Sequence, residues 1–162
     1  MSLEAARFAN LLLSALMVGN EFGGLVAVHP ALATLELPVQ VAAERAVTRR
    51  YKAIMPFLMT TTLISVFPVL ARLPRRKSAP YGLTAAGAVS FGLMLGITLL
   101  GNMPINTRIL AASPAAPPAD WGRLRARWNR LHALRNALNV TGLSCLLAAA
   151  LAPPAGAPSG TR

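Results

Sequence analysis

The chain has 162 residues, 54% of them hydrophobic and only 13% charged, with a formal net charge of +11. Soluble domains carry roughly 25% charged residues, so this charge deficit, with a mean hydropathy of +0.51, argues against a soluble enzyme. A nucleic-acid surface is disfavoured too: aromatics are 6% of the chain, no stacking motif interleaves with the charge, and the basic residues lie mainly in short loops beside apolar segments, where they anchor helices at anionic headgroups.

Taken in order, four runs reach the roughly 20 apolar residues that a membrane-crossing helix needs. The first predicted span is 8–28, interrupted by Glu21. A signal peptide, with Arg7 as its basic region and Ala31-Leu32-Ala33 as its cleavage site, fits less well, because the apolar run is too long and Glu21 breaks it. The stretch VQVAAERAVTRRYK then reads as an amphipathic helix opened by Leu37-Pro38, leading toward a second span at 53–73. Pro56 and Pro68 should kink that span, which membrane helices tolerate. A basic loop, Arg72 to Pro80, precedes the third span at 81–103. Asn102-Met103-Pro104-Ile105-Asn106 is expected to end it, with Pro104 breaking the helix. A Pro/Ala-rich loop follows, and Asp120 is the expected N-cap of a helix running from Trp121 into the fourth span at 131–151. The expectation is an all-α fold: an integral membrane four-helix bundle with amphipathic helical extensions on the loop 1–2 and loop 3–4 side. It forms a single domain over 1–152, followed by a disordered tail at 153–162. The single cysteine, Cys145, excludes an internal disulfide and a CxxC redox pair.

Four antiparallel spans bring the end of the first, the start of the second, the end of the third and the start of the fourth to one side. That side collects Glu21, His29, Arg49, Arg50, Tyr51, Asn102, Asn106, Trp128, His132, Arg135 and Asn136. An acid inside an apolar span is functional by default; the alternative for Glu21 is a structural ion pair with an arginine of the fourth helix. At about 100° per residue, Trp121, Arg125, Trp128, His132, Arg135 and Asn139 fall on one stripe, predicted to face the bundle interior or a cavity. The competing readings are an interfacial belt for the tryptophans and a hydrogen-bonded structural role for His132. Glu21, His29 and His132 would make a two-His-one-carboxylate metal site, but no local ligand spacing supports one, and no metal is expected. Ten of the 16 Lys and Arg residues lie on the polar side, so the positive-inside rule puts that side in the cytoplasm.

The string NMPINTRIL, followed by WGRLRARWNRLHALRN, resembles the anthrone oxygenase-like family of small four-helix membrane proteins, many of which have no assigned function. The features that carry the resemblance are an N-x-P-x-N element at Asn102, Pro104 and Asn106, and a W-x6-W-x3-H-x2-R series at Trp121, Trp128, His132 and Arg135. Gly19 to Pro30 also looks familial, and the likeness extends over roughly residues 8–150. It implies an oxygenation in which an anthrone is deprotonated, its carbanion reacts with O2, and a quinone and water form. The substrate supplies the electrons, so no cofactor is implied. Glu21, His132 and Arg135 would be the catalytic residues, with Glu21 or His132 as base and Arg135 beside the enolate oxygen. His29, Asn102, Asn106, Trp121, Arg125, Trp128 and Asn136 would bind substrate. The implied partners are membrane lipids, a small hydrophobic aromatic substrate and O2. The alternative is a non-catalytic membrane protein that binds a lipid or quinone, or scaffolds a partner; a metal-dependent enzyme stands third.

Overall fold

The computed structural model describes residues 1–73 and 78–152. The expected tail at 153–162 and the middle of the basic loop after Arg72 lie outside the described residues. Within them the chain forms six α-helices in order: α1 (Leu3–Gly23), α2 (His29–Ala33), α3 (Leu37–Arg72), α4 (Ala79–Ile97), α5 (Met103–Ala111) and α6 (Trp121–Leu151). Ser2 caps α1 by accepting the Ala5 N–H, and Ser78 does the same for α4 with Tyr81. This satisfies donors that a helix start would otherwise leave bare.

A π-helical turn, Gly24–Val28, joins α1 to α2, and another, Thr98–Asn102, joins α4 to α5. Each turn stands just before an X-Pro pair, His29-Pro30 or Met103-Pro104. A proline inside an α-helix collides with the carbonyl four residues back. Here the preceding residue donates five residues back, His29 to Gly24 and Met103 to Thr98, and the widened turn makes room for the ring. The expectation that Pro104 breaks the third helix is therefore corrected: the helix continues to Ala111. The joined lengths leave four helices long and apolar enough to cross a membrane: Leu3–Ala33, Leu37–Arg72, Ala79–Ala111 and Trp121–Leu151. The all-α four-helix bundle follows. α3 runs unbroken through the predicted amphipathic stretch and through both Pro56 and Pro68.

The four packed helices close a ring in the order α1, α3, α4, α6. Met17, Met59, Val66, Phe91, Met94 and Leu146 fill its centre, while Phe8, Phe57 and Leu100 point outward at 70%, 73% and 84% exposure. Such an inside-out distribution suits a lipid surround. α4 and α6 approach closely at Gly142, where a Cβ would lie 2.7 Å from the Phe91 ring, as small residues allow in membrane bundles. Asn10 donates to Ser65 Oγ at 2.8 Å, tying α1 to α3. Asp120 precedes α6 but makes no side-chain cap bond, contrary to expectation. Both its oxygens accept from Arg108 Nη2, at 2.8 and 3.1 Å. That charge-assisted contact outcompetes a neutral backbone donor and holds the Asp120 carboxyl below its ordinary pKa.

Candidate functional site

The last turn of α1 carries Glu21, and the π-turn after it swings His29 inward. The N-terminal half of α6 faces both with one stripe: Arg125, Trp128, His132 and Arg135 are all buried. The i, i+3, i+4 spacing that put them on one stripe is what makes them converge. Two acid–arginine–histidine groups result, with Trp128 between them.

In the inner group, Arg135 donates to the Glu21 carboxylate and His132 Nδ1 lies 3.5 Å from the same oxygen. Glu21 is 6% exposed and His132 and Arg135 are each 4% exposed. Buried charges persist only when paired and hydrogen-bonded, and Glu21 obtains its partner from a helix 114 residues away in sequence. On the opposite edge of the imidazole stands Gly24: a Cβ there would sit 3.4 Å from His132 Nε2 and 4.0 Å from the His29 ring. With no side chain at Gly24, the neighbour of His132 Nε2 is the Asn136 amide, whose Nδ2 lies 3.5 Å away.

The outer group centres on Glu44, at 1% exposure. Its Oε1 takes Arg125 at 2.7 Å and His29 Nδ1 at 3.3 Å. Arg125 Nη2 also lies 3.1 Å from His29 Nδ1. That nitrogen thus meets an acceptor and a donor at once, and the ring's protonation decides which hydrogen bond forms. The rings of His29 and His132 pack edge to face at 5.6 Å. Trp128 meets His29 edge to face at 4.4 Å and lies tilted against His132 at 4.6 Å, and Arg125 covers its face at 4.6 Å. The Trp128 indole N–H donates to Asn106 Oδ1 at 2.7 Å.

A cavity of about 220 Å³ opens beside these groups. Its inner wall holds Glu21, Gly24, His29, Trp128, His132 and Arg135. Its remaining wall comes from Thr48, Tyr51, Met55 and Met59 of α3 and from Leu95, Thr98, Asn106 and Leu110 on the α4–α5 side. Polar groups thus converge on one side of an otherwise apolar chamber, as ligand sites commonly arrange them.

Of the residues expected to bind substrate, His29, Asn106 and Trp128 line the cavity and four do not. Trp121 packs with Val41, Ile105 and Ile109 and donates to Gln40 Oε1 at 3.0 Å, which holds the start of α6 against α3. Arg125 serves Glu44. Asn102 donates to the Trp128 carbonyl and so fixes the backbone beneath the site, while Asn136 Nδ2 donates to the His132 carbonyl and also stands 3.5 Å from His132 Nε2. The weighed metal set is Glu21, His29 and His132. Among the described residues no group of His, Cys, Asp or Glu is arranged to hold an ion, because Glu21 turns to Arg135 and His29 to Glu44. Arg49 and Arg50 face outward.

Sequence reasoning missed Glu44, since ERAVTRRYK reads as a solvated polar face. The signal was there in the buried spacing Val41, Glu44, Thr48, an i, i+3, i+7 row that places the acid on the inward stripe.

Fold and site together define a membrane-type helical bundle whose buried acids, arginines and histidines serve an apolar internal chamber. Residues 44–145, more than half the chain, match the family described as anthrone oxygenase. The chain belongs to that family. The match begins at Glu44 and takes in Asn106, Arg125, Trp128, His132 and Arg135, while Glu21 and His29 precede it. No curated protein and no solved structure matches the chain.

Proposed function

We propose that the chamber binds a hydrophobic, ionisable aromatic of the anthrone or polyketide type and catalyses its oxygenation by O2. The observation that carries this reading is the single cavity wall on which His132, Glu21 and Arg135 stand beside the face of Trp128. In this scheme His132 takes a C–H proton from the substrate, with the Glu21 carboxylate beside Nδ1 favouring the imidazolium that forms. Arg135 and the Asn106 side chain favour charge on the enolate oxygen, and Trp128 holds the ring system by stacking. The carbanion's electrons reduce O2 to a carbon-bound peroxide, which takes back the proton. Loss of the second C–H proton with cleavage of the O–O bond then leaves the new carbonyl and releases water. Two hydrogens leave carbon and both end in that water, so the electron balance closes with the substrate as sole reductant and no cofactor. The setting is the cell membrane, with the polar end toward the cytoplasm.

Oxygen uptake by purified protein given an anthrone-type substrate, measured after metal chelation, tests the reading. General base catalysis contributes about 10²–10⁴-fold, so a His132→Gln, Arg135→Gln double variant should lose at least roughly a hundredfold of the rate. Full activity in that folded variant would sink the proposed site. The second reading, a non-catalytic lipid- or quinone-binding protein, draws on the Glu21–Arg135 pair, which engages the acid as a structural latch would. Stoichiometric co-purifying lipid or quinone with no turnover of any aromatic would favour it.

A further inference from the structure

The chamber is not sealed, and the position of its mouth has a consequence for what enters it. Among the cavity-lining residues, Lys52, Pro56 and Thr60 of α3 are exposed, and so are Leu99, Met103 and Thr107 across the α4–α5 junction. Each trio repeats every four residues, so each forms one row along a helix face. The two rows stand on neighbouring helices of the ring and make the two lips of a lengthwise slot. Behind the α3 lip lie the buried Met55 and Met59, then the imidazoles.

The slot opens through the side of the bundle. Phe57, next to the α3 lip, is 73% exposed, and Leu100, next to the other, is 84% exposed. On helices long and apolar enough to cross a membrane, large apolar side chains turned outward on both flanks fit a hydrocarbon surround. Lys52 is the cation at one end of the slot, beside the predicted start of the second span, and Pro56 and Thr60 follow one and two turns deeper. A lysine there reaches headgroup depth along its stem.

We propose that the chamber fills sideways, out of the bilayer, through the slot between α3 and the α4–α5 junction. Its ligand is then a bilayer-dissolved amphiphile, apolar over most of its surface and carrying an acidic oxygen that Lys52 attracts at the mouth and Arg135 meets inside. The ligand class deepens the oxygenase reading and rests on it; the route does not.

Trp128 reports on the route without any turnover. The Trp121→Phe variant, with Trp128 as its only tryptophan, is placed in nanodiscs of phosphatidylcholine bearing a doxyl group near the headgroup, or in plain nanodiscs with acrylamide. The doxyl lipid should quench Trp128 more strongly than acrylamide. Thr60→Phe with Met103→Phe, which plugs the slot, should abolish most of that difference, whereas Val140→Phe on an exposed face of α6 should leave it intact. If Trp121→Phe does not fold, subtracting the signal of Trp128→Phe from that of the unaltered chain reads the same quantity. Stronger quenching by acrylamide, or a plug without effect, overturns the route. Oxygen uptake failing while the quenching pattern holds would remove the oxygenase chemistry and leave the slot standing.

Discussion

The two acid–arginine–histidine groups use the same residue types and the same α6 stripe, yet they stand differently toward the chamber. Glu21, His132 and Arg135 all line it. Of the outer group only His29 does, while Glu44 and Arg125 stand outside its lining; each group keeps buried atoms without a hydrogen bond, Glu44 Oε2 and Arg125 Nη1 in one, His132 Nδ1 and Arg135 Nε in the other. The same residue types thus stand in two settings: one group lines the chamber, and the other joins α3 to α6 and holds an imidazole. The difference teaches that burial and pairing alone do not mark a reactive acid; access to the chamber must be added.

Breaking each pair in turn sharpens the contrast most. Removing one partner of a buried ion pair costs about 3–5 kcal/mol. Arg135→Ala and Glu44→Ala should therefore both lower thermal stability in detergent by that order, and both should recover when the partner is also neutralised, as in Glu21→Gln with Arg135→Gln. Activity per folded molecule should separate them: near-complete loss for Arg135→Ala, partial loss for Glu44→Ala. Equal losses would erase the distinction between the groups. Gly24→Ala comes next. Its methyl meets His132 Nε2 at ordinary contact distance, so melting should hold while substrate binding and turnover fall. A binding isotherm unchanged by this methyl would show that Nε2 does not face the ligand.

Smaller effects lie at Trp128. Trp128→Phe keeps an aromatic wall but deletes the hydrogen bond to Asn106, worth about 0.5–1.5 kcal/mol, and leaves Arg125 a poorer ring to cover. Chemical denaturation would register that loss, and a raised KM with little change in kcat is the expected kinetic signature. Least of all is the exposed Arg108–Asp120 pair, outside both groups. Because Asp120 titrates below its ordinary value, its contribution is complete above the unfolded pKa of about 3.9 and disappears as pH falls through the folded one. Comparing Asp120→Asn with the parent from pH 8 down to 5 should therefore show a constant small offset in melting temperature, with convergence only in stronger acid.

The residues chosen from sequence for this site show where local pattern reaches its limit. The α6 stripe was legible because helical periodicity is a local property: Arg125, Trp128, His132 and Arg135 share a face whatever surrounds them. Glu21 was legible because an acid in an apolar run is costly anywhere in a bilayer. Glu44 was not, since among neighbouring charges an acid looks solvated until Arg125 of a distant helix covers it. For Trp121 and Asn102 the partners came from other helices: Trp121, on the stripe, donates to Gln40, and Asn102, of the N-x-P-x-N element, donates to the Trp128 carbonyl.

Pro104 shows the same limit in the backbone. Its sequence context reads as a helix end, and only the π-turn, formed by a donor five residues back, lets the helix go on to Ala111. By itself the sequence determined that the chain forms four apolar helices with their polar residues gathered at one end, because hydropathy and periodicity act within a span. Tertiary structure decided which acid takes which arginine, which aromatic faces the chamber and where that chamber opens, because each depends on groups that meet only after distant helices pack.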